Sequence, residues 1–280
     1  MRSRKKKGLW FILPSLAGVS IFYLIPFCDV VRRSFARSMG VGFAGLDNYR
    51  KVLTNSAFLL AAKNTLRFVA VCLPLLLLLS LLLALLLQRR VWGRHVMKST
   101  YLLPMAIPAA SVVLLWRLLF DRQGMLNGLL ERLNMTGVDW MNTGMAFVVL
   151  IFTYLWKNLG YDIILWSAGL SGISESIYDA ARVDGAGRWQ NFWYITLPNL
   201  KQVGAAIVVL SFLNSFKVFR EAYLVAGNYP QEDIYLLQHV FNNWFRDLSV
   251  DKMAAGSCLL SGIVLGLVIL LQKSWGKEDW

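Results

Sequence analysis

The run from Val69 through Leu87 carries no charged residue and is long enough to cross a membrane as one helix, which takes about 20 residues. Inside hydrocarbon there is no water for the backbone, so such a segment satisfies its N–H and C=O groups within itself. Comparable apolar runs recur along the chain. Together they predict six spans, near Leu9–Val31, Leu60–Leu87, Thr100–Phe120, Met145–Leu170, Val203–Ala226 and Met253–Leu271. The whole chain of 280 residues is 57% hydrophobic and only 16% charged, and its charges gather between the runs. The expected fold is therefore all-α and polytopic, with six transmembrane helices and little chain left for a soluble domain. Residues 1–280 read as one integral membrane domain. Residues 1–59 hold the first span and an external loop, and residues 60–280 hold a five-helix core with a polar loop at 174–198.

Charge placement sets an orientation. The cluster Arg2, Arg4, Lys5, Lys6 and Lys7 precedes the first apolar run, which puts the N-terminus in the cytoplasm. No small-x-small cleavage pattern follows that run, so it reads as a retained anchor and not as a secretory signal. Six spans return the C-terminus to the cytoplasm, and Arg89, Arg90, Arg94 and Lys98 fall on the same side. The first external loop pulls the other way, with Arg32, Arg33, Arg37, Arg50 and Lys51 set mainly against Asp47. The denser N-terminal cluster, with the position of the 174–198 loop, decides for a cytoplasmic N-terminus. The net charge of +13 is scattered among the spans and does not indicate nucleic acid. Cys28, Cys72 and Cys258 form no CxxC pair, and His95 and His239 fall on opposite sides of the membrane, so no metal site is expected.

The loop Tyr178–Leu200, YDAARVDGAGRWQNFWYITLPNL, carries strong local signals. Ser176 followed by Asp179 reads as a capping box. Asp184-Gly185 reads as a stop and turn, because glycine accepts the left-handed conformation that ends helices. A second helix is expected from about Arg188, ended by Leu197-Pro198. The product is a helix–turn–helix at the membrane surface, with Trp189, Trp193 and Tyr194 as candidate interfacial anchors.

The pattern Asp179-Ala180-Ala181, then Gly185, then Ile195-x-Leu197-Pro198 resembles the coupling-loop signature of permease subunits of bacterial ABC importers, usually spelled Glu-Ala-Ala with Gly and Ile-x-Leu-Pro downstream. Asp179 keeps the charge of the usual Glu with a shorter reach. Asp184-Gly185-Ala186 and Phe192 fit the carbohydrate branch, of the maltose and glycerol-phosphate type. Further matches are Phe43–Tyr49, Asn64-Thr65-Leu66, Leu103-Pro104 with Ile107-Pro108, then Trp116, Phe120, Gly124 and Asn127, and later Trp156 with Gly160, Ala168–Leu170 and Phe216–Phe219. Beyond span five many relatives carry Gly-Gly-Pro, where this chain reads Gly227–Asp233, GNYPQED.

The resemblance implies the permease fold of type I importers, with a cytoplasmic coupling helix–turn–helix between spans four and five. It implies a second, similar permease (a heterodimer), two ABC ATPases and an external sugar-binding protein as partners, all at the cytoplasmic membrane in contact with its lipid. Tyr178, Asp179, Ala180, Ala181, Asp184, Gly185 and Ala186 would dock on an ATPase. A bland reading of the same loop is an amphipathic helix pair lying at the headgroups, and both readings are compatible. The chain has no GxxxxGK[ST], so ATP and Mg belong to partner chains, and no catalytic residue is assigned.

Charged groups in lipid cost on the order of 3 kcal/mol even on the gentler insertion scale, so they face cavities or each other. Trp156, Asn158, Tyr161, Asp162, Asn214, Phe216, Lys217, Phe219 and Tyr223 are candidates for a sugar path, with Lys157, Arg220 and Glu221 nearby. Planar polar groups suit hydroxyls and rings suit C–H faces. Subunit packing and snorkelling compete with that role, most of all for Arg220 and Glu221. Two other function classes stand beside the permease. An ion-coupled carrier or channel calls for paired mid-membrane carboxylates, for which Asp162 is the single candidate. A membrane-embedded enzyme needs a convergent catalytic set, and neither HExxH nor GxSxG is present.

Overall fold

The computed structural model describes residues 12–37, 42–88 and 94–275. Among these residues the regular elements are helices, apart from one bridge between Ala36 and Phe43. Five helices are long and apolar enough to cross a membrane: Ile12–Ser34, Ser56–Gln88, Met145–Ser171, Lys201–Ala226 and Val250–Leu271. They correspond to expected spans one, two, four, five and six. Leu9, the N-terminal basic cluster, Arg89 and Arg90 lie outside the described residues.

The third expected span, Thr100–Phe120, is not one helix. A helix Arg94–Ala106 stops, and a second one, Ala109–Phe120, starts after Ile107-Pro108. The segments Thr100–Ala106 and Ala109–Arg132 lie at 103° to each other. Pro108 causes the break: it has no N–H to give, sits at φ −57°, ψ 143°, and disfavours helical geometry at the residue before it. Pro74 and Pro104, by contrast, stay inside helices. Apolarity alone cannot tell a straight span from a broken one.

The chain forms two compact units, Met1–Leu59 with Val240–Leu267, and Leu60–His239 with Val268–Trp280. In the first, Asn48 is 1% exposed and donates to the carbonyls of Ser34 at 3.0 Å and Ala36 at 2.7 Å, which fixes the turn after span one. Arg32 and Arg33 are both held by Asp29, at 2.8 and 2.6 Å. Asp29 thus offsets part of the basic excess that the sequence shows around the first external loop. Phe58 stacks on Trp244, and Gly256 leaves room for the rings of Phe241 and Trp244. Gly262 and Gly266, four residues apart as in helix-packing motifs, have nothing within 4 Å of an added Cβ.

The second unit is arranged around span four, Met145–Ser171. It packs against the helix Arg94–Ala106 on one side and the helix Lys201–Ser215 on another. Small residues set both approaches. A side chain at Gly160 would run into the backbone carbonyl of Tyr101, and Gly169 and Gly204 give the same clearance to Val203 and Trp166. Polar side chains point inward. The Tyr154 hydroxyl donates to the Ser211 carbonyl at 2.7 Å, Ser211 donates to Asp162 at 2.8 Å, and Trp166 donates to Ser80 at 3.0 Å. Leucines point outward, with Leu82 57%, Leu114 63% and Leu118 68% exposed. Each interhelical hydrogen bond of this kind contributes about 0.6–2 kcal/mol in a membrane.

Asn64 and Thr65 anchor the chain segment after span five. Asn64 donates to the carbonyls of Glu232 and Tyr235, and Thr65 accepts the Leu237 N–H at 3.0 Å. His239 closes this turn by accepting the Leu236 N–H on Nδ1 at 3.1 Å, with its ring packed on Phe219 and Tyr235. Burial pushes its pKa down to about 4.

Two expectations follow. Gly160→Val should destabilise the chain by about 3 kcal/mol, the upper end of overpacking, while Gly128→Ala, with open space around it, should be neutral or slightly stabilising. Thermal unfolding in detergent reads both. For His239, the unfolded imidazole takes a proton near pH 6.5 but the folded one only near pH 4. Stability is therefore complete above pH 6.5 and falls by about 1.4 kcal/mol per pH unit towards pH 4, a slope that His239→Phe should reduce.

Candidate functional site

Two features of the second unit have a shape that packing alone does not require. The first is a cavity of about 330 Å³ beside the middle of span four. Its walls come from three places. The break at Ile107-Pro108 supplies Met105–Ala109, span four supplies Thr153, Tyr154, Lys157 and Asn158, and span five supplies Asn214, Lys217, Val218, Arg220 and Glu221. Thr153 and Lys157, four residues apart, share one helix face, and Tyr154 and Asn158, also four apart, line the strip beside it. Span five passes through a short 3₁₀ turn at Phe216–Val218, which places Asn214, Lys217 and Glu221 on the same wall.

An ion pair crosses the cavity wall. Lys157 Nζ donates to Glu221 Oε1 at 2.6 Å, with the two side chains 17% and 7% exposed. Lys217 Nζ donates to Asn214 Oδ1 at 2.6 Å. Of the residues expected along a sugar path, Asn158, Asn214 and Lys217 line this cavity. The others do not. Trp156 packs on Trp116, Phe216 on Phe212, and Phe219 on Tyr223 and His239. Tyr161 is half-buried one turn beyond Lys157. Asp162 is 1% exposed and bound to Ser211, and its other oxygen has no partner among the described residues. Thr153 and Tyr154 are not singled out from sequence, and Ile107-Pro108 enters there as part of the family resemblance and not as a cavity wall. The i, i+4 spacing of Thr153 to Lys157 was the available signal for the first of these.

The second feature is the hairpin between spans four and five. Ser174, and not Ser176, caps the helix Glu175–Val183: its hydroxyl accepts the Ser176 N–H at 3.3 Å. The expected Ser176–Asp179 box is displaced because the chain turns helical two residues earlier, and Asp179 pairs instead with Arg182 at 3.0 Å. The C-terminus behaves as expected. Gly185 sits at φ +82°, its N–H bonds the Arg182 carbonyl, and the Ala186 N–H reaches back to Ala181 at 2.8 Å. That is the bond pattern of a Schellman cap.

The second arm begins at Arg188, with the Gly187 N–H bonded to Gln190 at 2.8 Å. Leu197-Pro198 does not end it. A π-helical turn, Phe192–Thr196, bonds the Leu197 N–H to Phe192 and passes into Leu197–Asn199, and Leu200 then leads into span five. Pro198 sits in the first turn of that short helix, where its missing N–H costs least. The hydroxyls of Tyr178 and Thr196, 2.9 Å apart, tie the two arms together. No residue of Glu175–Val183 is buried, and Val183 is 89%, Trp189 72% and Tyr194 79% exposed. Ala181, Asp184–Ala186, Gln190, Asn191, Tyr194 and Ile195 line a hollow of about 360 Å³ between the arms.

Inward polar groups, outward leucines, a cavity at a broken helix and an exposed, capped hairpin define a multi-pass membrane protein. The model of the binding-protein-dependent transport system inner membrane component family matches residues 76–272, and the chain belongs to that family. It is 32% identical over 277 residues to the arabinooligosaccharides transport system permease protein AraP of Bacillus subtilis, covering 96% of this chain and 87% of that one. It is also 32% identical to the trehalose/maltose transport system permease protein MalF of Thermococcus litoralis, with 80% and 78% covered. Among solved structures, a chain from a bacterial ABC transporter involved in the import of the acidic polysaccharide alginate superposes over 100% of both chains, with a TM-score of 0.86 at 21% identity. That likeness carries the fold.

The buried ion pair gives a testable energy. Replacing Lys157 with Met or Glu221 with Gln should each cost about 3–5 kcal/mol, because either leaves a buried group without its partner. The double replacement K157M/E221M should recover most of that loss in thermal unfolding.

Proposed function

We propose that this chain is one membrane permease of an ABC importer and that it moves a carbohydrate inward by alternating access, powered by ATP hydrolysis on two separate ATPase chains. A second, similar permease completes the pathway, and an external binding protein delivers the sugar. The chain lies in the cytoplasmic membrane with both termini and the 174–198 hairpin in the cytoplasm. No reaction is assigned to its own residues.

The observation that carries this reading is the hairpin. A nine-residue helix with no buried residue is too short to persist alone in water. Yet this one is capped at both ends, tied by Tyr178 to Thr196, and presents Ile177 and Val183 to the outside. A preorganised and uncovered surface of this kind suits insertion into a cleft on a soluble partner, since little ordering entropy remains to be lost on docking. Tyr178, Asp179, Ala180, Ala181, Asp184, Gly185 and Ala186 are the proposed contacts. Carbohydrate as cargo is supported by the relatives named for arabinooligosaccharides and for trehalose and maltose. Asn158 and Asn214 in the cavity suit sugar hydroxyls. The ion-coupled alternative draws less support: Asp162 and Glu221 are the buried carboxylates among the described residues, and Glu221 is already neutralised by Lys157.

Gly185→Val puts a β-branched residue at φ +82° and should open the helix cap. Co-purification of the ATPase with this chain should fall by about tenfold or more, while membrane insertion and pairing with the second permease persist. Undiminished ATPase capture after deletion of residues 178–186, or uptake by a complex lacking any ATPase, would overturn the reading.

A further inference from the structure

The charges lining the cavity do not balance, and the imbalance has one sign. Lys157 and Glu221 neutralise each other at 2.6 Å. Lys217 is held by the neutral amide oxygen of Asn214, which offers no counter-charge. Arg220 also lines the cavity, and among the described residues it has neither a carboxylate nor a hydrogen-bond partner. Two cations are thus left over on the wall of a cavity beside the middle of span four; both side chains are exposed and so open to a ligand, and an uncompensated charge within a span is costly. Ala109, at the start of the helix Ala109–Phe120, forms part of the same wall and adds the positive end of a helix dipole. Asn158, whose Nδ2 donates to the Tyr154 carbonyl, and Asn214 stand beside the cations with amide groups of the kind that suits neutral hydroxyls.

We infer that the cavity selects an anionic saccharide, one whose hydroxyls meet Asn158 and Asn214 and whose carboxylate or phosphate meets Arg220 and Lys217. The inference rests on the permease reading and narrows its cargo. A planar guanidinium with no partner of its own suits the two oxygens of a carboxylate or phosphate edge. Lys217 supplies a second charge that follows the anion into either form. The Lys157–Glu221 pair then acts as a neutral partition and not as a binding group.

The test uses the complete transporter, with its companion permease and ATPases, in proteoliposomes. Uptake is compared for a neutral trisaccharide, a trisaccharide of the same length containing a uronic acid, and a hexose phosphate. Equilibrium binding of the same three probes to the detergent-solubilised complex, without the external binding protein, isolates the membrane site. At least one anionic probe should be bound and carried about tenfold better than the neutral one, the scale of one charge-assisted contact. The uronate and phosphate arms decide which anion it is. R220Q/K217Q should abolish that preference, and R220K, which keeps the charge but loses the two-pronged geometry, should retain part of it. Equal or better handling of the neutral sugar overturns this inference and leaves the permease reading standing. Loss of the companion permease from the R220Q complex, with unchanged preference, assigns the cations to the subunit interface and also overturns it. Absence of ATP-driven uptake of any saccharide defeats the permease reading itself.

Discussion

A backbone inside hydrocarbon has to satisfy its own hydrogen bonds, and the architecture of this chain follows from that requirement. It makes the apolar runs helical, and it makes the polar side chains within them face one another. Tyr154, Ser211 and Asp162 form one such chain of contacts, and Trp166 with Ser80 forms another. It also restricts where the helix may stop. Among the described residues, the span broken at Ile107-Pro108 opens onto the cavity, whose other walls carry polar side chains. The surface is as apolar as the core: Leu82, Leu114 and Leu118 are exposed, while the interior holds Asn64, Ser80, Thr153 and Glu221 among apolar side chains such as Phe68, Leu76 and Ile163.

The two functional features share structural members. Span four brings Lys157 and Asn158 to the cavity and, at its far end, leads through Gly172 into the hairpin. Span five starts from the second arm of that hairpin and delivers Asn214, Lys217 and Glu221 to the same cavity. Gly169 and Gly204 let these two spans approach closely near the hairpin end. Any displacement of the hairpin therefore has a short mechanical route to the groups that would hold cargo.

The sequence revealed these features unevenly. Five spans were legible because length and apolarity are local properties, and Val69–Leu87 needs no tertiary context to be read. Gly185 was legible for a similar reason, since a stop signal followed by glycine states its own backbone geometry. The break at Ile107-Pro108 was not, because Pro74 and Pro104 sit in comparable apolar surroundings and remain helical. Ser174 and Ser176 are both competent caps, and only the register of the turn chooses between them. The cavity was half visible. Asn158, Asn214 and Lys217 stood out as polar groups in spans, but the aromatic candidates Trp156, Phe216 and Phe219 turn to ring partners. Pairing of Lys157 with Glu221 is a contact between residues 64 apart in the chain, which no local pattern encodes.

The π turn at Phe192–Thr196 spares the chain a corner at Pro198, so helix runs almost without interruption from Arg188 to Ser215. At 1.5 Å per residue that is about 40 Å of helical path. A path of that length, moving as one rigid piece, would turn a tilt of about 5° at its hairpin end into a shift of about 3 Å at the other, roughly the reach of one hydrogen bond. The 3₁₀ turn at Phe216–Val218 sits at that opposite end and carries Lys217. A proline that would ordinarily disconnect the two ends has instead been absorbed into a nearly continuous helical path, with a cation at its far end.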